Sequence, residues 1–316
     1  MESRILGNTG IKISELCFGS LTIGPLQANL DIYHGGQIIS HAFNNGINFI
    51  DTAEIYENYL HIREALKTVN RKDIVIATKS YSYSKETAEK SLMKALRELN
   101  TDYIDIFLLH EQESKHTIRG HYEAIEYFLK AKEKGIIRAI GISTHRIEGV
   151  VAATQYSEIE VIHPIINKLG IGIQDGSVDD MLIALKAAYN SGKGIYGMKP
   201  LGGGHLIKDV EDSIRFVKGI PYLHSFAMGM QSKDEVDANI SLVNNGYIPK
   251  DIKLKIDKKE RRLHISDWCI GCGSCVETCK NGGIKLIDNK AVPIMESCVL
   301  CGYCAPKCPE FCIKVI

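Results

Sequence analysis

Apolar residues in the first 245 positions alternate between short continuous runs and longer segments of helical periodicity. The short runs are rich in β-branched residues and predict eight strands, over residues 16–20, 48–52, 74–79, 104–110, 137–143, 161–167, 195–201 and 222–229. Amphipathic segments lie between them, such as KETAEKSLMKALRELN (85–100) and YEAIEYFLKAKEKG (122–135). Gly135 and Gly192 stand where two of these predicted helices should end.

Strict alternation of strand and helix predicts a parallel sheet covered by helices. Eight such units fit a closed (β/α)8 TIM barrel, an α/β fold that takes about 250 residues. An open doubly wound sheet is the alternative, but the turn GSLTIG (19–24) lacks the G-x-G-x-x-G pattern of a dinucleotide-binding unit. Because the chain has 316 residues, its length fits such a barrel plus a smaller second domain. We expect the barrel to span residues 1–257 and the second domain to span residues 258–316.

Composition and charge argue against several classes of protein. Hydrophobic residues make up 45% of the chain and charged residues 24%, as in soluble globular proteins. The 38 basic and 38 acidic residues balance, so the whole chain has no electrostatic attraction to nucleic acid or to an anionic membrane. The start, MESRILGNTG, lacks the apolar core of a signal peptide, and no apolar run reaches membrane-spanning length. We therefore expect a cytoplasmic protein, with the basic stretch 250–262 as a solvated connector or helix face.

Nine of the ten cysteines lie between Cys269 and Cys312. Eight of them form two runs of the pattern C-x2-C-x2-C-x3-C, namely Cys269, Cys272, Cys275 and Cys279, then Cys298, Cys301, Cys304 and Cys308. Thiolates are soft ligands suited to iron, and three on one loop can cover three corners of a 4Fe-4S cubane. Zinc is the alternative metal, but its usual paired C-x2-C spacing leaves the third cysteine of each run unexplained.

These runs resemble the bacterial-type ferredoxins, which carry two 4Fe-4S clusters in a small α+β domain. In that family the fourth cysteine of each run binds the other cluster. The resemblance therefore implies that Cys308 completes the first cluster and Cys279 the second. The segments IKLI (284–287) and IKVI (313–316) follow the two runs at equal spacing and align Cys312 with Gly283. We expect Cys312 to be a packed thiol rather than a ligand, and Cys17 to be a core residue.

Four polar residues stand at or just beyond the ends of predicted strands. Asp51 ends the second strand in NFIDTAEIY, and Tyr56 follows it; Lys79 ends the third strand and His110 the fourth. Catalytic side chains of (β/α)8 barrels come from the C-terminal ends of several strands. All four side chains should therefore face one mouth.

With these residues, the motifs of the first 245 residues resemble the aldo-keto reductases. The matching motifs are RILGNTGIKISELCFGS (4–20), FIDTAEIY (49–56), ATK (77–79), LLH (108–110), IRAIGIS (137–143) and PLGGG (200–204). The resemblance implies nicotinamide-dependent reduction of a carbonyl compound, with Asp51, Tyr56, Lys79 and His110 as a catalytic tetrad. Tyr56 would donate the proton that the carbonyl oxygen needs, and the Lys79 ammonium would lower the pKa of its phenol. Asp51 would hold Lys79, and His110 would orient the substrate oxygen.

The resemblance also implies the contacts of a nicotinamide nucleotide. These are Ser143, His163, Met198, Pro200, Leu201, Gly202, Gly229, Ser232, Glu235 and Asn239. Barrel phosphate sites form from the loops after strands seven and eight. There, Ser232 and Glu235 have the spacing of a helix capping box, and free N–H groups at such a helix start suit a phosphate.

Four positions depart from the family pattern at this implied nucleotide site. Thr144 and His163 replace the usual Asn and Gln, Met198 replaces a stacking aromatic ring, and Gln231 stands where many members carry an Arg. The choice between NADP and NAD therefore stays open, and a flavin in the same mouth remains an alternative.

Two modules with different electron stoichiometry meet in this chain, because clusters pass single electrons whereas a nicotinamide gives two as hydride. Our leading hypothesis is a nicotinamide-dependent reductase of a small carbonyl substrate. Its clusters would either exchange electrons with a ferredoxin-like partner or help to close the pocket, since the segment after His110 is short. The alternatives are a flavin-containing reductase fed by ferredoxin, and a low-turnover nicotinamide-binding module with structural clusters.

Overall fold

Eight parallel strands close into a barrel in the computed structural model, which describes residues 1–316. A hairpin of β1 (Ser3–Ile5) and β2 (Lys12–Ser14) precedes it. The barrel strands are β3 (Leu16–Gly19), β4 (Phe49–Asp51), β5 (Val75–Ser80), β6 (Ile104–Leu109), β7 (Ile137–Thr144), β8 (Val161–Pro164), β9 (Gly194–Met198) and β10 (Ser225–Gly229). β10 pairs with both β9 and β3, which closes the circle. The predicted (β/α)8 barrel is confirmed, and the open-sheet alternative is wrong.

Helices surround the barrel. They are α1 (Ile32–Asn44), α2 (Tyr59–Leu66), α3 (Lys85–Leu99), α4 (Lys115–Gly120), α5 (Tyr122–Glu133), α6 (Ile147–Ala153), α7 (Val178–Asn190), α8 (Val210–Lys218), α9 (Lys233–Asn245) and α10 (Lys250–Ile256). In α3 the Ser84 hydroxyl caps the first turn by accepting from the Thr87 N–H. Gly135 and Gly192 follow α5 and α7 with φ of +72° and +83°, which confirms both predicted helix ends. None of the helices has the length and apolar character needed to cross a bilayer.

The barrel is held by two apolar clusters. One of 58 buried residues lies mainly between the strands and the helices, and one of 13 fills the barrel interior. Leu6, Ile11 and Ile13 from the N-terminal hairpin segment belong to the interior cluster, so this segment closes the bottom of the barrel. Cys17 is fully buried in the same cluster, as expected for a core residue.

The C-terminal residues form a small module of short elements. These are β11 (Leu263–Ile265), α11 (Ser274–Thr278), β12 (Ile284–Ile287), β13 (Lys290–Pro293) and β14 (Ile313–Val315). β11 pairs antiparallel with β14, and β12 pairs antiparallel with β13. Each half runs from a strand through a cysteine loop and a short helical turn to a second strand, which confirms the predicted α+β architecture. The predicted boundary at residues 257–258 falls between α10 and β11 and stays a prediction.

The module packs against the loops that follow β8 and β9. Phe311 is 3% exposed and belongs to the large barrel cluster. The Gln174 side-chain amide donates to the Pro309 carbonyl at 3.2 Å, and His205 Nε2 lies 3.1 Å from the Ile313 carbonyl. A Cβ on Gly204 would lie 2.1 Å from the Val315 carbonyl oxygen, so only glycine permits this approach. The barrel and the module therefore share one interface beside the barrel mouth.

Candidate active site

A cavity of about 560 Å³ opens at the C-terminal ends of the barrel strands. It extends from Asp51 and Tyr56 along the loop after β9 to the start of α9 and the connecting segment 253–261. The C-terminal module lines it with Phe311, Lys314, Val315 and Ile316. The mouth of the barrel is therefore bounded by both modules.

A buried ion pair lies at the base of this cavity. The Lys79 ammonium on β5 donates to Asp51 Oδ2 on β4 at 2.7 Å and to the Thr52 carbonyl at 2.6 Å. The Tyr196 hydroxyl on β9 donates to the other carboxylate oxygen of Asp51 at 2.9 Å. Lys79 Nζ lies 5.0 Å from the centre of the Tyr56 ring. Three strands and the 3-10 turn at Glu54–Tyr56 thus bring the ion pair and the phenol together.

The pKa of the Tyr56 phenol is raised well above its usual value, whereas the sequence suggested a lowered pKa. Burial is the main cause, followed by the negative charges of Asp51 and Glu111. The expectation was wrong because the Lys79 ammonium is paired closely with Asp51, so the phenol senses a neutralised pair rather than a free cation. Tyr56 therefore keeps its proton at neutral pH.

His110 follows β6 and faces Tyr56 across the cavity base. Its ring stacks on Tyr81 at 4.6 Å and meets the Tyr56 ring edge-on at 6.2 Å. Burial lowers its pKa well below the usual value, and the Lys79 and Lys199 charges add to this effect. Its Nδ1 atom has no hydrogen-bond partner. His110 is therefore a neutral imidazole that can offer one N–H to an oxygen atom.

Tyr196 and His163 form a stacked pair behind the tetrad, and sequence reasoning did not single out Tyr196. Their ring centres are 3.9 Å apart, and His163 Nδ1 lies 2.7 Å from the Tyr196 carbonyl. Burial lowers the pKa of His163 to about 4, so the ring is neutral. The Tyr196 hydroxyl fixes one oxygen of Asp51, and only the closing of the barrel brings β8, β9 and β4 into this arrangement.

Seven of the ten residues implied as nucleotide contacts line the cavity, namely His163, Met198, Pro200, Leu201, Gly229, Glu235 and Asn239. Ser143 is fully buried, and its hydroxyl has no hydrogen-bond partner in the structure. Gly202 is also buried, while the next two glycines of the loop line the cavity. An unpaired buried hydroxyl at Ser143 fits a residue that bonds a ligand.

The start of α9 forms only half of the predicted capping box. The Ser232 hydroxyl accepts from the Glu235 N–H at 3.1 Å, but the Glu235 carboxylate accepts from the Gln231 N–H at 2.7 Å instead of capping Ser232. The same carboxylate binds Lys259 at 2.8 Å, and Arg261 lies 3.9 Å away. Two cations of the connecting segment thus reach the end of the cavity where the barrel itself lacks an arginine.

The sequence of the barrel matches the profile of the aldo/keto reductase family over residues 15–223. The chain belongs to the aldo/keto reductase family. A second profile, the 4Fe-4S binding domain, matches residues 264–285.

Curated relatives and solved structures agree with this assignment. This aldo-keto reductase is 30% identical to L-galactose dehydrogenase of Arabidopsis thaliana over 217 residues, which cover 65% of the chain and 67% of the relative. It is 28% identical to the NADH-specific methylglyoxal reductase of Escherichia coli over 51% of the chain and 58% of that protein. The holo form of aldo-keto reductase AKR11C1 from Bacillus halodurans has a TM-score of 0.66 at 24% identity, covering 82% and 96% of the two chains, and this likeness shows the fold.

Five cysteines of the second module line one small cavity, namely Cys269, Cys272, Cys275, Cys308 and Cys312. The pKa of Cys304 is raised to about 12 by burial, with Cys301, Cys275 and Cys279 as the neighbouring charges that add to it. The assignment of Cys308 and Cys279 as crossed fourth ligands of two clusters stays a prediction.

Cys312 occupies a position equivalent to Gly283, as the repeat predicted. The Gly283 N–H donates to Cys279 Sγ at 3.2 Å, and the Cys312 N–H donates to Cys308 Sγ at 3.3 Å. Both halves thus use the backbone at this position to support the fourth sulfur. The Cys312 side chain is 1% exposed and packs in the module core.

Proposed function

We propose that this aldo-keto reductase family chain reduces the carbonyl group of a small molecule with NADPH or NADH. The observation that carries this proposal is the buried Lys79–Asp51 pair beside Tyr56, in a cavity that seven implied nucleotide contacts also line. Burying an ion pair is costly unless further hydrogen bonds satisfy it, and it marks a site where charge has a function. The nicotinamide would supply a hydride when bound.

The chain's own residues would position the carbonyl and protonate its oxygen. His110, neutral and buried, would donate one N–H to the oxygen and hold it near Tyr56. Tyr56 would transfer its phenolic proton as negative charge develops on that oxygen, since an alkoxide is a stronger base than a phenolate. Lys79 would lie beside the phenolate that remains, and Asp51 with Tyr196 would hold Lys79 in place. Because burial raises the pKa of Tyr56, the proton stays on the phenol until negative charge develops on the substrate oxygen.

The eight cysteines would hold two 4Fe-4S clusters, which pass single electrons. The cavity lined by Cys269, Cys272, Cys275, Cys308 and Cys312 lies in the module that also lines the barrel mouth, which supports a role near the pocket. We propose exchange of electrons with a ferredoxin-like partner. A cytoplasmic location belongs to the same proposal, because all ten cysteines are free and thiolate ligands persist in reducing compartments.

The test is Tyr56→Phe in the full-length protein purified without oxygen. We expect kcat for carbonyl reduction to fall about 1,000-fold, in the range found for general acid catalysis, because the ring remains and only the proton donor is lost. The Kd of NADPH, measured by fluorescence titration, should change less than about twofold. Tyr33→Phe is the control, since Tyr33 is 67% exposed on α1. Turnover retained in Tyr56→Phe would remove Tyr56 as the acid.

A further inference from the structure

Lys199 is a cation of the cavity that the proposed mechanism does not use. It follows the last residue of β9 and lines the cavity together with Tyr56 and Asp51. Its Nζ lies 2.7 Å from His145 Nε2 and 4.3 Å from the centre of the Phe311 ring. Its neighbours are therefore an imidazole and an aromatic face, and no carboxylate forms a salt bridge with it.

The imidazole beside Lys199 cannot neutralise its charge. Burial lowers the pKa of His145 well below the usual value, and the Lys199 charge lowers it further, so His145 is neutral and its Nε2 accepts a hydrogen bond from the ammonium. Glu111 is the carboxylate whose charge acts on the pKa of Lys199. However, its Oε1 atom lies 3.7 Å from His110 Nε2 and 3.6 Å from His145 Nε2, between the two imidazoles. Lys79, by contrast, is fully paired with Asp51. Lys199 thus has no salt-bridge partner, and the same is true of Lys208, Lys253 and Lys314, which line the same cavity.

The backbone at Lys199 is held in an unusual conformation. Its φ is +57°, in the left-handed region that residues other than glycine and asparagine seldom adopt. This conformation is unfavourable for a lysine and persists where the surrounding structure requires it, which is often at ligand sites. Here it turns the chain into the Pro200–Gly204 loop while the side chain stays against His145 and Phe311.

The charge of Lys199 also acts on the residues that would surround a reacting carbonyl. It contributes to the lowered pKa of both His110 and His163. Burial lowers the pKa of Lys199 itself to about 7, while Glu111 opposes this effect and Lys314 and Lys79 add to it. An anion bound beside the amine would favour the ammonium form.

We propose that Lys199 binds a carboxylate of the substrate, so that the natural substrates are aldehydes or ketones that carry a carboxylate near the reacting carbonyl. This inference rests on the proposed carbonyl reduction and adds its substrate class. Phe311 covers the Lys199 ammonium from the iron-sulfur module, so that module contributes one wall of the carboxylate site. The module thereby takes part in substrate selection as well as in electron transfer. The rival anion for Lys199 is the diphosphate of the nucleotide.

The test compares 4-carboxybenzaldehyde with its methyl ester as substrates of the full-length protein. In Lys199→Gln we expect kcat/KM for the acid to fall about 30-fold and that for the ester to change less than about threefold, since one charge-assisted hydrogen bond is lost. Lys199→Asn removes the same charge and tolerates the left-handed backbone, so it replaces the Gln variant if that folds poorly. Lys186→Gln is the control, because Lys186 is exposed on the outer face of α7.

A binding measurement separates this inference from the proposed function. Benzoate is titrated calorimetrically into wild-type and Lys199→Gln protein, each with and without NADP. Binding at least about tenfold weaker in the variant supports the carboxylate site, even if no carbonyl compound is turned over. Equal binding in both proteins overturns it. An equal loss of kcat/KM for acid and ester, with weaker NADPH binding, assigns Lys199 to the diphosphate and also overturns it.

Discussion

The barrel and the iron-sulfur module bury different kinds of side chain. The barrel buries 58 residues in one apolar cluster and 13 in another, almost all of them aliphatic or aromatic. The module buries nine in its own cluster, and four of these are cysteines, Cys269, Cys275, Cys304 and Cys312. The two folding units of one chain are therefore stabilised by different chemistry.

The size of each unit explains this difference. A chain of about 60 residues buries too little apolar surface to offset its conformational entropy comfortably, whereas a barrel of about 250 residues buries enough. Because the thiol loops are not preformed in the unfolded chain, binding of metal to them would supply folding free energy directly. The three cysteines among those four that belong to the repeated runs would bring this metal into the module core.

The largest expected effect is loss of the module on removal of iron. Chelation of the anaerobic protein should abolish the hydrogen-exchange protection of β11, β12, β13 and β14, because the metal supplies most of their stability. Protection of the barrel strands should change little. Hydrogen exchange followed by mass spectrometry measures both regions in one experiment, and a barrel that unfolds with the module would break the comparison.

Two cysteine variants provide the matched control for that experiment. Cys275→Ala removes a proposed ligand and should reduce the iron content from about eight atoms per chain to about four. Cys312→Ala removes a buried thiol of the same module and should leave about eight. Equal iron loss in both variants would make Cys312 a ligand.

The next effect in size concerns the contact between the two units. Phe311→Ala should lower the free energy of unfolding by about 3 kcal/mol, because it empties a buried aromatic site shared by module and barrel. Chemical denaturation should then show the module unfolding before the barrel. Tyr303→Ala, at a 75% exposed position of the same module, should shift the transition little. A Phe311 variant as stable as wild type would mean that the two units do not share a core.

The smallest expected effect is a difference between the two units in how their stability changes at acid pH. His110, His145 and His163 of the barrel have lowered pKa values from burial, with His163 at about 4. Near pH 6.5 these histidines become protonated in the unfolded chain but stay neutral in the folded barrel. The free energy of unfolding of the barrel is therefore highest above about pH 7 and falls below about pH 6.5. The free energy of unfolding should decrease by up to roughly 1.4 kcal/mol per pH unit for each histidine as the pH falls. Urea unfolding of the barrel between pH 5 and 8 measures this, and a flat profile would contradict buried neutral imidazoles.

The local pattern was enough to predict the elements and several residues of the site. All eight predicted strands form, because β-branched runs between amphipathic helices specify both the strand and its burial on two faces. Asp51, Lys79 and His110 were predicted to share a mouth because they end parallel strands, and the structure brings them together there. The cysteine spacing predicted the 4Fe-4S binding domain, which the match over residues 264–285 confirms, since ligand geometry on a short loop is local.

Interactions between segments that are distant in the sequence could not be predicted from the local pattern. The pKa of Tyr56 was predicted in the wrong direction, because the pairing of Lys79 with Asp51 and the burial of the phenol depend on several strands at once. The capping box at α9 failed for a similar reason, since Glu235 is also engaged by Lys259 of a segment 24 residues away.

The sequence by itself determined the barrel, the duplicated cysteine module and the residue types of the tetrad, because strand periodicity and loop spacing act over a few residues. Only the tertiary structure decided that Phe311 covers Lys199 and that Tyr196 supports Asp51. Those contacts join residues 112 and 145 positions apart, and they exist because barrel closure and module packing fix distances that no local pattern encodes.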